Sequence, residues 1–190
     1  MKADSRRDIY VKNASFALVY RFAKDYLKDA MDIAFMTGQR PADVFEAEWS
    51  DIRDGALIFS QNKTGQVVRV LVTGKLEQTL KRIQSRDVIG KTIVCGEKGQ
   101  KITYDKFKAD FRRTREKAKD FAEKNGIDFE MFQFRDIRAK AATDAGSHRR
   151  AQELLGHKDS KTTAIYRRDK NDAVLPLDEN QLFSLEKKVK

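Results

Sequence analysis

Five side chains spread along this 190-residue sequence are of types that could act together on a phosphate ester. Arginine suits phosphate because its guanidinium is planar and permanently charged, and Arg40 and Arg138 could share that work. A tyrosine among cations can become a nucleophile, and Tyr166 follows His157 by nine residues. Lys63 could give a leaving oxygen its proton. Each residue alone could equally be a solvated, capping or core residue. Only their arrangement together can distinguish a catalytic role from these structural ones.

Helices must position most of these residues, because only two prolines and ten glycines interrupt the chain. Gly38 is expected to end the first helical run, and Pro41 suits the first turn of a short new helix. The predicted helices are two between 14 and 37, one from Pro41, one at 75–85, one from Tyr104 until Gly126, and three at about 132–145, 149–156 and 160–169.

One region has strand character instead. The β-branched clusters at 57–59 and 67–72 flank a polar turn at 62–65, which predicts a hairpin with Lys63 in its turn. A short strand is also predicted at 92–95. The expected fold class is therefore mainly α with a small antiparallel β-sheet (α+β).

The long predicted helix has two faces. Its apolar stripe consists of Tyr104, Phe107, Phe111, Ala118 and Phe121. Its opposite face carries Lys108, Arg112, Arg115 and Lys119. Residues 101–170 contain 19 Lys and Arg against 12 Asp and Glu. The basic face is compatible with a solvated surface and with one that follows phosphates.

Composition excludes several classes of protein. Cys95 is the single cysteine, so no intrachain disulfide can form, which suits a reducing cytoplasm. Two histidines and one cysteine argue against a closed zinc site, and no carboxylate cluster has the spacing of metal ligands. No apolar run approaches the ~18 residues that span a bilayer.

The candidate residues lie in four motifs whose order is informative. The motifs are TGQRPADVFEAEW, SQNKTG, FRDIRAKAATDAG and LLGHKDSKTTAIY. Together, over residues 25–168, they resemble the catalytic domain of tyrosine recombinases, the phage integrase family. The implied site residues are Arg40, Lys63, Arg138, His157 and Tyr166, with Asp43 and Arg135 in support and Lys63 and Arg135 also contacting nucleic acid.

The resemblance implies a site-specific DNA recombinase that cleaves and rejoins DNA through a covalent 3′-phosphotyrosyl intermediate, with no metal, ATP or other cofactor. Tyr166 would be the nucleophile, the two arginines and His157 would hold the phosphate, and Lys63 would be the general acid. The implied partners are double-stranded DNA attachment sites and further copies of the chain in a synaptic tetramer, with no membrane and no small-molecule substrate. The expected location is the cytoplasm of a bacterium, on DNA.

The resemblance also sets expectations for domain organisation. Residues 1–170 are expected to form one catalytic domain that belongs to a larger integrase, because family members add a core-binding domain that completes a clamp around DNA. Residues 171–190 are expected to be a tail that either passes to a neighbouring subunit or packs in cis.

Two departures from the family pattern keep rival functions open. Arg135 stands where the family usually has histidine, and arginine cannot act as a base near neutral pH; a phosphate contact beside Tyr166 is the favoured role. His157 follows Arg138 by 19 positions, about one helical turn fewer than usual, and His148, in the shortened region, is predicted to be a surface residue. These departures motivate one rival, a DNA-binding domain that has lost cleavage. The other rival is a type IB topoisomerase-like relaxase.

Overall fold

Helices dominate the part of the chain that the computed structural model describes, residues 9–61 and 64–166. Within it the helices are α1 (Asn13–Phe22), α2 (Asp25–Thr37), α3 (Pro41–Glu46), α4 (Gly74–Gln84), α5 (Tyr104–Lys124), α6 (Asp136–Asp144), α7 (His148–Leu155) and α8 (Ser160–Ala164). The strands are β1 (Ile52–Arg53), β2 (Ala56–Ser60) and β3 (Val67–Leu71). None of these helices is long and apolar enough to cross a membrane. The predicted α+β class is confirmed.

The first helical run ends as predicted. α1 and α2 are separated at Ala23 and Lys24, and Gly38 caps α2 in the left-handed conformation with φ +64. Only glycine adopts that conformation without steric cost. Pro41 then occupies the first turn of α3, where its missing N–H costs nothing. This sharp connection leaves Arg40 at the start of α3.

The small sheet contains the predicted hairpin and one unpredicted strand. β2 pairs with β1 and β3, both antiparallel, with Phe59 opposite Val68. The two-residue β1 is too short to show an alternating pattern. The strand predicted at 92–95 is wrong: its ends make only isolated bridges, Glu48 to Thr92 and Cys95 to Lys101.

The long helix α5 buries most of its predicted stripe. Phe107, Phe111 and Ala118 are buried, and the ring of Phe134 lies edge-on to Phe107 at 5.0 Å between centroids. Tyr104 is an exception, because its side chain in the first turn is 65% exposed rather than part of the core. The helix ends at Lys124, two residues before Gly126.

The helix α6 is central and begins later than predicted. The segment before it is not helical, and Phe132 and Phe134 insert into the core from it. α6 packs against α2 and α7. Its buried Lys140 bonds Asn13 Oδ1 at 2.6 Å and Asp144 Oδ2 at 2.8 Å, and the first of these bonds ties α6 to the start of α1. α8 ends at Ala164 and a turn follows at 165–166, whereas the rest of the helix predicted to 169 lies outside the described residues.

Candidate active site

Arg138 joins the ends of two other helices. It is the third residue of α6 and only 3% exposed. Its Nη1 donates to the carbonyl of Gly38 at 2.5 Å, and its Nη2 donates to the carbonyl of Leu155 at 2.9 Å. Both carbonyls lie at helix C-termini, where the last C=O groups need donors and favour positive charge. The guanidinium is therefore held in place before any phosphate arrives.

Charge accumulates around this guanidinium. Burial, and then the positive charge of Arg40, lower the pKa of Arg138 to about 10, so it is still protonated at neutral pH. A hydrogen bond to the Tyr166 side chain and the charge of that phenol act in the opposite direction.

Arg40 approaches the same pocket from the start of α3. Its Nη1 donates to Oε1 of Gln61 at 2.8 Å, at the end of β2. The buried carboxylate of Asp43 lies behind it, with Oδ2 at 3.9 Å from Nη1. The Asp43 carboxylate thus partly balances the positive charge of Arg40 from within α3.

His157 and Tyr166 complete the cluster. The His157 Nε2 lies 3.1 Å from Arg138 Nη2, and its ring centroid lies 5.3 Å from that of Tyr166. The Arg138 Cζ is 5.4 Å from the Tyr166 ring centroid. Tyr166 is half-buried in a turn after α8, so its hydroxyl is not sealed in the core. The sequence between Arg138 and His157 is shorter than is usual in the family, but the two side chains still make contact.

The His157 ring is neutral at physiological pH. Burial, then the charges of Arg138 and Arg40, lower its pKa to about 4. Because a guanidinium can only donate, Nε2 of His157 must accept the bond from Arg138. The structure therefore shows His157 as an acceptor at this nitrogen, whereas the sequence predicted a donor to phosphate.

One predicted site residue is not described, and another lies outside this cluster. Lys63 lies outside the described residues, although its flank is close: Thr64 donates to Gln61 Oε1, which also accepts from Arg40. Arg135 is at the N-cap position of α6 and is exposed. The Tyr166 ring lies beside Arg138 and His157, whereas Arg135 lines a different depression.

That depression is a groove of about 480 Å³ beside α5. Its floor is aromatic, with Phe107, Phe111 and Phe134, and its rim is basic. The basic residues that line it are Lys108, Arg112, Arg115 and Arg135. Pro41, next to Arg40 in the chain, also lines the groove.

The sequence did not predict the glutamines that fix the cluster. Gln61 Nε2 donates to Gln39 Oε1 at 2.7 Å and to the Leu155 carbonyl at 3.1 Å, and Gln39 Nε2 donates to the Leu154 carbonyl at 3.0 Å. They connect the hairpin, the end of α2 and the end of α7. The sequence feature that could have identified them is their position: Gln39 precedes Arg40, and Gln61 lies at the start of the turn that contains Lys63.

His148 and the acidic residues contribute no further centre to the described part of the chain. His148 begins α7, half-buried, with Nε2 2.7 Å from Ser160 Oγ. No group of three or more His, Cys, Asp or Glu side chains among the described residues is arranged to hold a metal ion.

Comparison with known proteins assigns the family. Residues 13–172 match the model of the phage integrase family, and the chain belongs to that family. It is 29% identical to the integrase of Escherichia phage lambda over 158 residues, which cover 76% of this chain and 42% of the relative. The chain thus spans less than half the length of that curated relative.

Solved structures share the fold. One is a lambda integrase dimer bound to a COC′ core site, with a TM-score of 0.75 and 26% identity over 93% of this chain and 53% of that one. A second is a lambda integrase tetramer bound to a Holliday junction, with a TM-score of 0.75 and 26% identity over 92% and 52%. The resemblance inferred from the four motifs is confirmed.

Proposed function

We propose that this chain is the catalytic domain of a site-specific DNA recombinase that cleaves and rejoins DNA through a 3′-phosphotyrosyl intermediate, without metal or ATP. The observation that carries the proposal is the contact of Arg138 with both His157 and Tyr166, which lie in a different motif from Arg138. Arg40, from a third motif, is close enough to lower the pKa of both Arg138 and His157.

In the proposed reaction the Tyr166 hydroxyl oxygen attacks the phosphorus and the bond from phosphorus to the 5′ oxygen breaks. Arg40 and Arg138 neutralise the charge that develops on the non-bridging oxygens, a contribution that is often the largest in catalysis. The phenol proton passes to water or to the phosphate, and Lys63 protonates the leaving 5′ hydroxyl. Religation reverses these steps, since the ester conserves the energy of the original bond.

The proposed partner is double-stranded DNA. The overall charge of +10 and the basic rim of the groove, including Lys108, Arg112 and Arg135, suit a polyanion. Lambda integrase has been seen bound to a core site and as a tetramer on a Holliday junction. By this relationship we extend the proposal to a synaptic tetramer acting on attachment sites in the bacterial cytoplasm, with residues 1–170 as the catalytic domain.

A covalent-trapping experiment tests the proposed function. The chain is incubated with a pool of nicked duplexes, from which the short strand beyond the cut diffuses away, and denaturation-resistant adducts are isolated and sequenced. We expect adducts at a restricted set of sites and none with Tyr166→Phe. Binding without any adduct would support the DNA-binding domain instead, and plasmid relaxation without exchange between sites would support the relaxase.

The role of Lys63 has its own test. Lys63→Ala should slow cleavage of ordinary DNA far more than cleavage of DNA whose leaving 5′ oxygen is replaced by sulfur, because the thiolate departs without a proton. Equal slowing of both substrates would remove Lys63 as the general acid.

A further inference from the structure

Thr163 makes a contact that the proposed reaction does not yet use. It lies in α8 and is 0% exposed, although its side chain is polar. Its Oγ1 lies 3.1 Å from Nδ1 of His157, on the side of the ring opposite Arg138. The buried hydroxyl of Thr163 and the ring nitrogen of the half-buried His157 satisfy each other in this contact.

The two contacts of the imidazole determine which nitrogen carries its proton. The guanidinium of Arg138 has only donors, so Nε2 must accept. A neutral imidazole with an accepting Nε2 has its hydrogen on Nδ1, so Thr163 Oγ1 accepts from Nδ1. The ring thus contacts a donor, Arg138, at Nε2 and, in this tautomer, an acceptor, the Thr163 hydroxyl, at Nδ1.

We propose that Thr163 is a positioning residue for the cleavage reaction: its hydroxyl accepts from Nδ1 of His157 in the tautomer that Arg138 selects, and this bond keeps Nε2 turned towards the phosphate pocket. This inference depends on the proposed function. When the incoming phosphate engages Arg138, Nε2 becomes the only position where a second proton can be added, because Nδ1 already holds one. In the free protein, Nε2 of His157 accepts from Arg138. During the reaction the same nitrogen, once protonated, donates to the phosphate while Thr163 keeps its bond to Nδ1.

Thr163 also contacts the nucleophile segment. Its carbonyl accepts the backbone N–H of Tyr166 at 2.9 Å. One residue therefore fixes the imidazole through its side chain and the start of the tyrosine turn through its backbone. A substitution that changes only the side chain separates these two contributions, because the backbone bond is retained.

The test compares Thr163→Val with two matched variants. Valine has the shape of threonine but no acceptor, Thr163→Ser keeps the hydroxyl, and Thr162→Val makes the same change one residue earlier. We expect Thr163→Val to slow adduct formation by about 10- to 100-fold, the range typical when the partner that orients a metal-bound histidine is removed. Thr163→Ser and Thr162→Val should stay within about threefold of the wild type.

A spectroscopic readout separates positioning from a merely structural role. Long-range proton–nitrogen NMR of the free chain at pH 7.5 distinguishes the tautomers, and His148→Asn identifies the signals of the other histidine. We expect an Nδ1–H pattern for His157 in all three proteins, because Arg138 still donates to Nε2. The Nδ1 proton should exchange slowly with water in the wild type and Thr163→Ser, and fast in Thr163→Val, where it has no acceptor. Thermal unfolding checks that each variant is folded at the assay temperature.

Three results would overturn the proposal: an Nε2–H tautomer in the wild type, an Nδ1 proton in Thr163→Val that exchanges as slowly as in the wild type, or wild-type cleavage by that variant. A wild-type chain that forms no adduct would instead overturn the proposed function, and the NMR pattern would still decide the tautomer. If Thr163→Val proves unfolded, a slowly exchanging Nδ1 proton in Thr163→Ser supports the proposal, and a fast-exchanging one or an Nε2–H pattern there contradicts it.

Discussion

At the scale of single residues, Arg138 is the fixed point of the candidate site. Its side chain donates to two helix-terminal carbonyls and to His157 Nε2, so the planar fork is fully oriented by the protein. An ammonium group has no comparable fork and cannot reach the same three acceptors from one position. The site therefore depends on the shape of this cation as well as on its charge.

We expect Arg138→Lys to slow covalent adduct formation by about 10²- to 10³-fold, as when a preorganised donor to the transition state is lost. Single-turnover trapping on nicked DNA measures this rate. Arg113→Lys, which makes the same exchange at an exposed position on α5 that does not line the groove, should have little effect. Equal rates for Arg138→Lys and the wild type would show that charge alone suffices.

His157 should make stability depend on pH. Its pKa is lowered from 6.5 to about 4, so between these values the unfolded chain binds a proton that the folded chain does not. The contribution to stability is fully present above pH 6.5 and is lost as the pH falls towards 4. Melting temperatures should therefore fall more steeply over this interval in the wild type than in His157→Asn. His148→Asn should keep the steep fall, and parallel curves for the wild type and His157→Asn would contradict the lowered pKa.

At the scale of elements, the site depends on how closely α7 ends against the sheet. Gly156 caps α7 with φ +65, and a Cβ there would lie 2.3 Å from Val68 Cγ2 of β3. The adjacent Leu155 carbonyl accepts from both Arg138 and Gln61. Close contact at Gly156 thus brings the hairpin, α6 and α7 together around the pocket.

Gly156→Ala should destabilise the fold by about 2–5 kcal/mol, the sum of a left-handed alanine and overpacking against Val68. The control is Gly146→Ala, which has φ +80 but no atom within 4 Å of the added Cβ, and should cost only about 1–2 kcal/mol. Urea unfolding gives both free energies. Equal losses would show that the contact with β3 is not tight.

The sequence predicted those elements whose signals are local. Gly38, Pro41 and the apolar stripe of α5 encode helix ends and faces within a few residues, and the four motifs carried Arg40, Arg138, His157 and Tyr166 in the right order. The start of the helix predicted at 132 is wrong, because Phe132 and Phe134 are placed by packing against α5 rather than by a local pattern. Gln39 and Gln61 were missed because their bonds to the carbonyls of Leu154 and Leu155 cross more than 90 positions of sequence.

At the scale of the whole molecule, positive charge should govern the encounter with DNA. Each phosphate contact releases condensed counterions, so the logarithm of affinity falls with the logarithm of salt concentration by about 0.9 per contact. Lys108 lines the groove beside α5, whereas Lys117 is exposed on α5 and does not line the groove. Only cations that contact phosphate should change the slope.

Lys108→Ala should reduce that slope by about one, and Lys117→Ala should leave it unchanged. Fluorescence anisotropy with a labelled duplex, titrated at several salt concentrations, measures both. Equal reductions would mean that α5 attracts DNA through diffuse charge and that the groove has no special place in binding.

The most direct measurement is the chemical identity of the trapped adduct. After nuclease and protease digestion, mass spectrometry of the protein–DNA adduct locates the modified residue and the end of the strand that it carries. We predict a single phosphodiester between the Tyr166 hydroxyl and a 3′ nucleotide, with the released strand bearing a free 5′ hydroxyl. Attachment at another residue, linkage to a 5′ end, or an adduct that persists in Tyr166→Phe would contradict the account.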